Sequence, residues 1–154
     1  MSPWSGQSQR HLPSASLRGL LAASALLIGS AGATAAQVVI QGPPGSARFG
    51  GSIAVLPNGN FVVTDPGFDI PSANDVGAVY LYGPGGTLIS MIRGSRQNDR
   101  IGGYGVVVLG SGNFVVPCPN WDHGSISDAG AVIFGSAETG VHGVVSTDNA
   151  LVGN

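Results

Sequence analysis

The sequence contains no lysine, and its six basic residues are all arginines. Charged residues of both signs make up only 9% of the 154, so the footprint that a polyanion such as nucleic acid requires is missing. Cys118 is the only cysteine, which excludes an internal disulfide and leaves packing to hold the fold. Its simplest reading is a small buried strand residue; a reactive thiol or an intermolecular bridge is the minor alternative. Aromatics are few, at 6%, yet 43% of residues are hydrophobic, too many for a disordered chain. No stretch beyond the N-terminal region has a helical period, and 26 glycines and 10 prolines leave little room for one. Also missing are G-x-S-x-G, H-E-x-x-H, C-x-x-C and any phosphate-binding glycine pattern.

The longest apolar run, Leu20 to Ile28, is too short for the roughly 20 residues of a membrane span. Arg10 and Arg18 precede it, and Ala33-Thr34-Ala35 follows as a small-x-small site. This is the layout of a secretory signal peptide over residues 1–36, cleaved near Ala35-Ala36, with an uncleaved anchor as the alternative. The expected mature chain starts at Gln37, carries four arginines against eight acids, has no stable membrane span and lies outside the cell or on its surface.

What the chain does contain is a repeat. Shifted by 53 residues, Gly50–Tyr82 aligns without a gap on Gly103–Gly135, with 15 of 33 positions identical. "LPNGNFVV" from Leu56 returns as "LGSGNFVV" from Leu109, and Asp69, Asp75 and Gly77-Ala78-Val79 return as Asp122, Asp128 and Gly130-Ala131-Val132. "RFGG" at Arg48 and "RIGG" at Arg100 precede the copies, one residue out of phase. Internal self-similarity of this length signals a repeat architecture. The organisation expected is a linker or edge strand at 37–47, unit 1 at 48–100 and unit 2 at 101–154. Val152-Gly153 falls where a third unit, truncated, would begin.

Within unit 1, Ile53–Leu56 and Phe61–Thr64 read as strands joined through Pro57-Asn58-Gly59-Asn60, where Asn-Gly tolerates positive φ. Asp65–Asp75 is rich in Asp, Pro, Gly, Ser and Asn and reads as a loop. Gly77–Tyr82 and Thr87–Arg93 give the third and fourth strands. The fourth strand of unit 2 is expected near Val141–Ser146. The fold class is therefore all-β, two tandem units of about 53 residues, each a four-stranded antiparallel sheet like a β-propeller blade. A β-solenoid is the alternative. Propellers close with about four to eight blades, so two units imply an incomplete propeller with an exposed face that favours self-association.

The stretch Phe49–Tyr82 resembles the FG-GAP repeat of integrin-type β-propellers, through Phe49-Gly50, Asp65-Pro66 and the strand Gly77–Tyr82. It is also similar to uncharacterised bacterial repeat proteins of the form "NGNxVV…PxWDNG…GAV", to which the second copy is nearer. The first resemblance implies a calcium loop between the first two strands, but Pro57–Asn60 and Gly110–Asn113 hold no carboxylate, and calcium needs six to eight oxygens. The remaining calcium candidates are Asp69, Asp75, Asp122 and Asp128. The preferred reading of these acids is that they bond loop backbone, since each copy needs the same loop held.

Trp121-Asp122-His123 is the one triplet suggestive of general-base chemistry. Unit 1 has Phe68-Asp69-Ile70 there, so the histidine is not part of the repeat. Arg93, Arg96 and Arg100 read as a solvated connection between units. The expectation is a non-enzymatic binding, adhesion or structural module without a cofactor, with an unknown protein or glycan as ligand. The alternatives are a fragment of a longer array, and a hydrolase using the loop acids and His123.

Overall fold

Leu56-Pro57-Asn58-Gly59 reverses the chain because proline sets φ for the first corner and glycine accepts a left-handed conformation at the last. Gly59 N donates to Leu56 O (2.9 Å) and Leu56 N to Asn60 O (2.8 Å). Gly59 has φ 86° and Asn58 is not left-handed, so the hairpin is a three-residue loop closed by glycine, not the Asn-Gly turn with two positive φ angles that the sequence suggests. The second copy repeats it, with Gly112 N to Leu109 O (2.9 Å), Leu109 N to Asn113 O (2.7 Å) and Gly112 at φ 88°. Serine can replace Asn58 at position 111 because only the glycine is conformationally required.

The structure is a computed structural model that describes residues 37–153; the signal-peptide reading of 1–36 lies outside these residues. The described residues form two sheets and no helix. In the first repeat, β1 (Ile53–Val55), β2 (Phe61–Asp65), β3 (Ala78–Tyr82) and β4 (Leu88–Arg93) make an antiparallel meander. In the second, β5 (Val107–Val108), β6 (Phe114–Cys118) and β7 (Ala131–Gly135) follow the same path. β-Branched and aromatic residues fill these strands and suit a pleated, half-buried surface. Each unit is thus a meander and not a coil of a solenoid.

The fourth strand of the second unit departs from expectation. β8 (Gly143–Val144) lies where that strand was expected, but it crosses to the first sheet and pairs parallel with β4, through Ile92↔Gly143 and Arg93↔Val144. The place beside β7 is taken by β9 (Ala150–Val152), antiparallel, with Ala131↔Val152 matching Ala78↔Arg93 of the first unit. The sheet orders are β1-β2-β3-β4-β8 and β5-β6-β7-β9. The longer connection between β7 and β9 supplies the extra strand. It also moves the repeat out of phase, so Val152-Gly153 closes the fourth strand where the sequence suggested the start of a third unit. Gly153 N donates to Gly130 O (2.9 Å) as Gly94 N does to Gly77 O (3.0 Å).

Strand alternation gives each sheet two faces. Val62, Val79, Leu81 and Ile92 share one face of the first sheet and pack on Phe114, Val116, Cys118, Ala131 and Ile133 of the second. Burying a large aliphatic or aromatic side chain contributes about 1.5–3 kcal/mol, so this seam dominates the stability of the pair. The other face of the first sheet carries Phe61, Val63, Tyr80 and Tyr82 and is covered by Ile40 and Phe49 from the preceding segment. Phe49 meets Tyr80 and Tyr82 edge-on, with ring centroids 5.4 and 6.3 Å apart. Ile101 holds the place of Phe49 in "RIGG" and is fully buried between the sheets.

Polar bonds at one residue tie the sheets together. Asn60 Nδ2 and Asn58 Nδ2 donate to Ala137 O (2.8 and 2.9 Å), while Asn113 Oδ1 accepts from Ala137 N (2.9 Å). Asn60 and Asn113 are the same position of the repeat, yet they use opposite ends of the amide. At the turn where the second unit has Ala137 the first unit has Pro84, which has no N–H to offer Asn60. Asn60 therefore turns its donor toward the next unit. Val141 N to Ser90 Oγ (3.3 Å) and Val145 N to Arg93 O (3.0 Å) continue the tie along β4. Asn60→Ala and Asn113→Ala should each lower stability by about 1–2 kcal/mol. Because both act through Ala137, the double variant should lose less than the sum, as read from urea unfolding midpoints.

Candidate functional site

The Asp65–Asp75 segment and its copy are the most polar recurring parts of the molecule, and five of their hydrogen bonds recur in both copies. Phe68 N donates to Asp65 O (3.1 Å), and Trp121 N to Cys118 O (3.2 Å). Ile70 and Ala73 exchange two backbone bonds, as do His123 and Ile126. Gly77 N then returns to Phe68 O (3.1 Å), and Gly130 N to Trp121 O (3.0 Å). Asp75 and Asp128 are left-handed, with φ 52° and 51°. Asp69 Oδ1 accepts from Asp75 N (2.7 Å), and Asp122 Oδ1 from Asp128 N (2.9 Å). The aspartates hold a backbone that no ladder satisfies, across six residues where a simple Asx-turn spans two.

The four calcium candidates do not converge. Asp69 and Asp122 face the N–H groups just described, and Asp128 Oδ1 accepts from Asn120 Nδ2 (3.3 Å). Among the described residues no three His, Cys, Asp or Glu side chains gather in a way that could hold a metal ion. Asp122 and His123 also do not pair. The His123 ring stacks on Trp121 (5.4 Å, 24°), and its Nδ1 lies 3.2 Å from Gly153 O. Trp121 is buried at the start of its loop, as Phe68 is in the first copy.

The linker between the units is solvated at Ser95–Asn98 and Arg100, as expected, but is anchored by one buried acid. Asp99 is buried, and its Oδ2 accepts from Ser95 N (2.9 Å) and Arg96 N (2.8 Å). Its Oδ1 accepts from Asp122 N (3.3 Å), and the Arg96 guanidinium donates to Gly124 O. The linker is thereby fastened to the second loop. Gly77, with φ 73°, lies so close to it that a Cβ would sit 2.2 Å from Ile101 N, which only glycine allows.

Asp99 has a counterpart that the sequence reading missed. Pro43–Ser46 makes the turn that Arg96–Asp99 makes, closed by Ser46 N to Pro43 O (3.0 Å) and Asp99 N to Arg96 O (3.2 Å). Where the second unit has the acid on the linker (Asp99) and a thiol on the strand (Cys118), the first has serine on the linker (Ser46) and the acid on the strand (Asp65). Asp65 is fully buried and accepts from Arg48 N (2.8 Å) through Oδ1. Its Oδ2, the Tyr80 hydroxyl and Ser46 Oγ are buried without a hydrogen-bond partner. Burial first, then the Asp65 charge, raises the Tyr80 phenol well above its ordinary pKa, against an opposing pull from Ser46. The signal for this exchange lay in the mismatched columns of the alignment.

Cys118 is buried, with Sγ 3.5 Å from Val116 O. Burial pushes its thiol up to about 11; the Gly102 N–H opposes this and the Asp99 charge adds to it. A shallow depression of about 670 Å³ opens beside it, bordered by Tyr104, Pro117, Val132 and Leu151. A second, of about 470 Å³, lies among Ile40, Phe49, Phe61 and Val63. Both are lined mainly by apolar residues, and neither collects an acid and a base.

Fold and loops together define a class, an all-β tandem-repeat protein whose recurring polar residues bind their own backbone. The chain belongs to the family described as a repeat of unknown function (DUF5650), whose model matches it twice, at residues 55–103 and 108–154. The family matched is this repeat and not the FG-GAP one. No curated protein matches the chain.

The thiol carries a checkable consequence. Its folded pKa lies above the unfolded value of 9.0, so its contribution to stability is intact below pH 9 and is lost as pH rises toward 11. Native protein at pH 8 should resist alkylation that proceeds readily in urea. The fall in unfolding midpoint between pH 9 and 10 should be smaller in Cys118→Ser than in the parent.

Proposed function

We propose that the chain is a non-catalytic β-repeat module of propeller-blade type, exported from the cell, which binds a protein or glycan through the loops at one end of its sheets. One observation carries this reading: the polar residues that recur in both copies, Asn60/Asn113 and Asp69/Asp122, bond to main chain and build shape. A catalytic group would instead be presented to a cavity with an acid, base or nucleophile beside it. The antiparallel meanders packed face to face, and the likeness of Phe49-Gly50 and Gly77–Tyr82 to FG-GAP units, support the blade-type arrangement. Binding through loops is argued from this class of fold.

Export and binding are tested on the whole chain expressed with its N-terminus intact. Material recovered outside the cell should begin at or next to Gln37 by N-terminal sequencing. It should be retained on arrays of immobilised glycans or extracellular proteins, and substitutions at exposed loop positions such as Ser72 and Ser125 should weaken that retention. Turnover of an ester, phosphoester or glycoside substrate that His123→Ala abolishes would overturn the non-catalytic reading.

A further inference from the structure

The two ends of the stack are finished differently. At one end the outer face of the first sheet is partly covered, with Tyr80 and Tyr82 under Phe49 and Ile40 beside the depression described above. At the other end the outer face of the second sheet is bare. Val115, Pro117, Val132 and Phe134 stand 53 residues after Val62, Thr64, Val79 and Leu81 and share one face by register with Leu151. The four in the first sheet are at most 2% exposed, because the second unit lies on them. In the second sheet Val132 is 42%, Phe134 53% and Leu151 80% exposed. The residues stay apolar where solvent would tolerate polar ones, which marks a contact surface.

Polar groups around this face repeat the pattern. In the first unit, Asp75 O and Val76 O accept from Arg100 N (3.0 Å) and Ile101 N (3.2 Å) of the incoming linker, and Asn60 Nδ2 reaches Ala137 O of the next unit. The equivalent Asp128 O, Ala129 O and Asn113 Nδ2 have no hydrogen-bond partner among the described residues. Apolar face, linker acceptors and amide donor are all present at the second unit in the arrangement that receives a unit at the first.

We infer that the open face of the second sheet is the seat of a further unit of the same repeat, entering with its linker along Asp128–Ala129 and its sheet against Val132 and Phe134. This rests on the blade-type reading above and gives it a direction, since Phe49 and Ile40 already occupy the opposite face. The occupant has the chemistry of the Phe114–Val116–Ile133 face, with a backbone carbonyl placed to meet Asn113.

The test lengthens the full chain by joining a second copy of Ser95–Asn154 directly after Gly153, the structural equivalent of Gly94. The lengthened protein should unfold in one transition, with a midpoint above that of the parent. Phe134→Asp should leave the parent's midpoint nearly unchanged but raise the unfolding constant of the lengthened protein on the order of a hundredfold, because a buried aromatic is then lost. Amides of the linker copy should exchange as slowly as those of Arg100 and Ile101, because they would be bonded in the same way. A separate transition for the added unit, its recovery only as aggregate, or an equal effect of Phe134→Asp in both proteins would overturn the inference. A parent dimer that Phe134→Asp disperses would also overturn it, by giving the face to a second copy. Export and ligand binding do not enter these readouts, so either reading can fail alone.

Discussion

The main chain of Ala137 is held from both sides. Its carbonyl is gripped by side chains of the first repeat and its N–H by a side chain of the second. The connection that carries Ala137 then runs on as β8 along the edge of the first sheet. Side-chain packing between the two sheets is strong but weakly directional, and the clamp adds direction to it. The hydrogen bonds set the position at which one sheet sits on the other. A donor left unpaired there would cost its desolvation, so the arrangement discriminates against neighbouring registers as well as stabilising its own.

The repeated loops do the same work at the opposite end of the strands. Asp69 and Asp122 satisfy main-chain groups that the ladders leave over, and Asp99 binds the linker to the second loop. Four of the eight acids, Asp65, Asp69, Asp99 and Asp122, thus fasten main chain within the fold.

Much of this was legible in the sequence, and what was not has identifiable causes. The strands β1 to β4 follow from β-branched runs bounded by glycine and proline, and their copies follow from the shift of 53. The role of the loop aspartates followed from their recurrence. The fate of 141–146 did not, because Val141–Ser146 has strand composition whichever sheet it joins, and an edge offered by another unit is not written in local pattern. The clamp was hidden because Asn60 and Asn113 are identical in sequence and differ only through Pro84 and Ala137, a contrast whose meaning needs the three-dimensional neighbour. The exchange of Ser46 and Asp65 for Asp99 and Cys118 was hidden for a related reason: each column looks like a mismatch, and only the two columns together show the acid moving from strand to linker.

β8 has one more implication. The first sheet is completed by residues that lie in the second copy of the sequence, and the second copy is oriented by side chains that lie in the first. The segment that is duplicated and the segment that can stand alone are therefore different objects. A cut at the repeat boundary would yield one piece lacking its edge strand and another lacking its anchor, so the smallest self-sufficient body here is the pair.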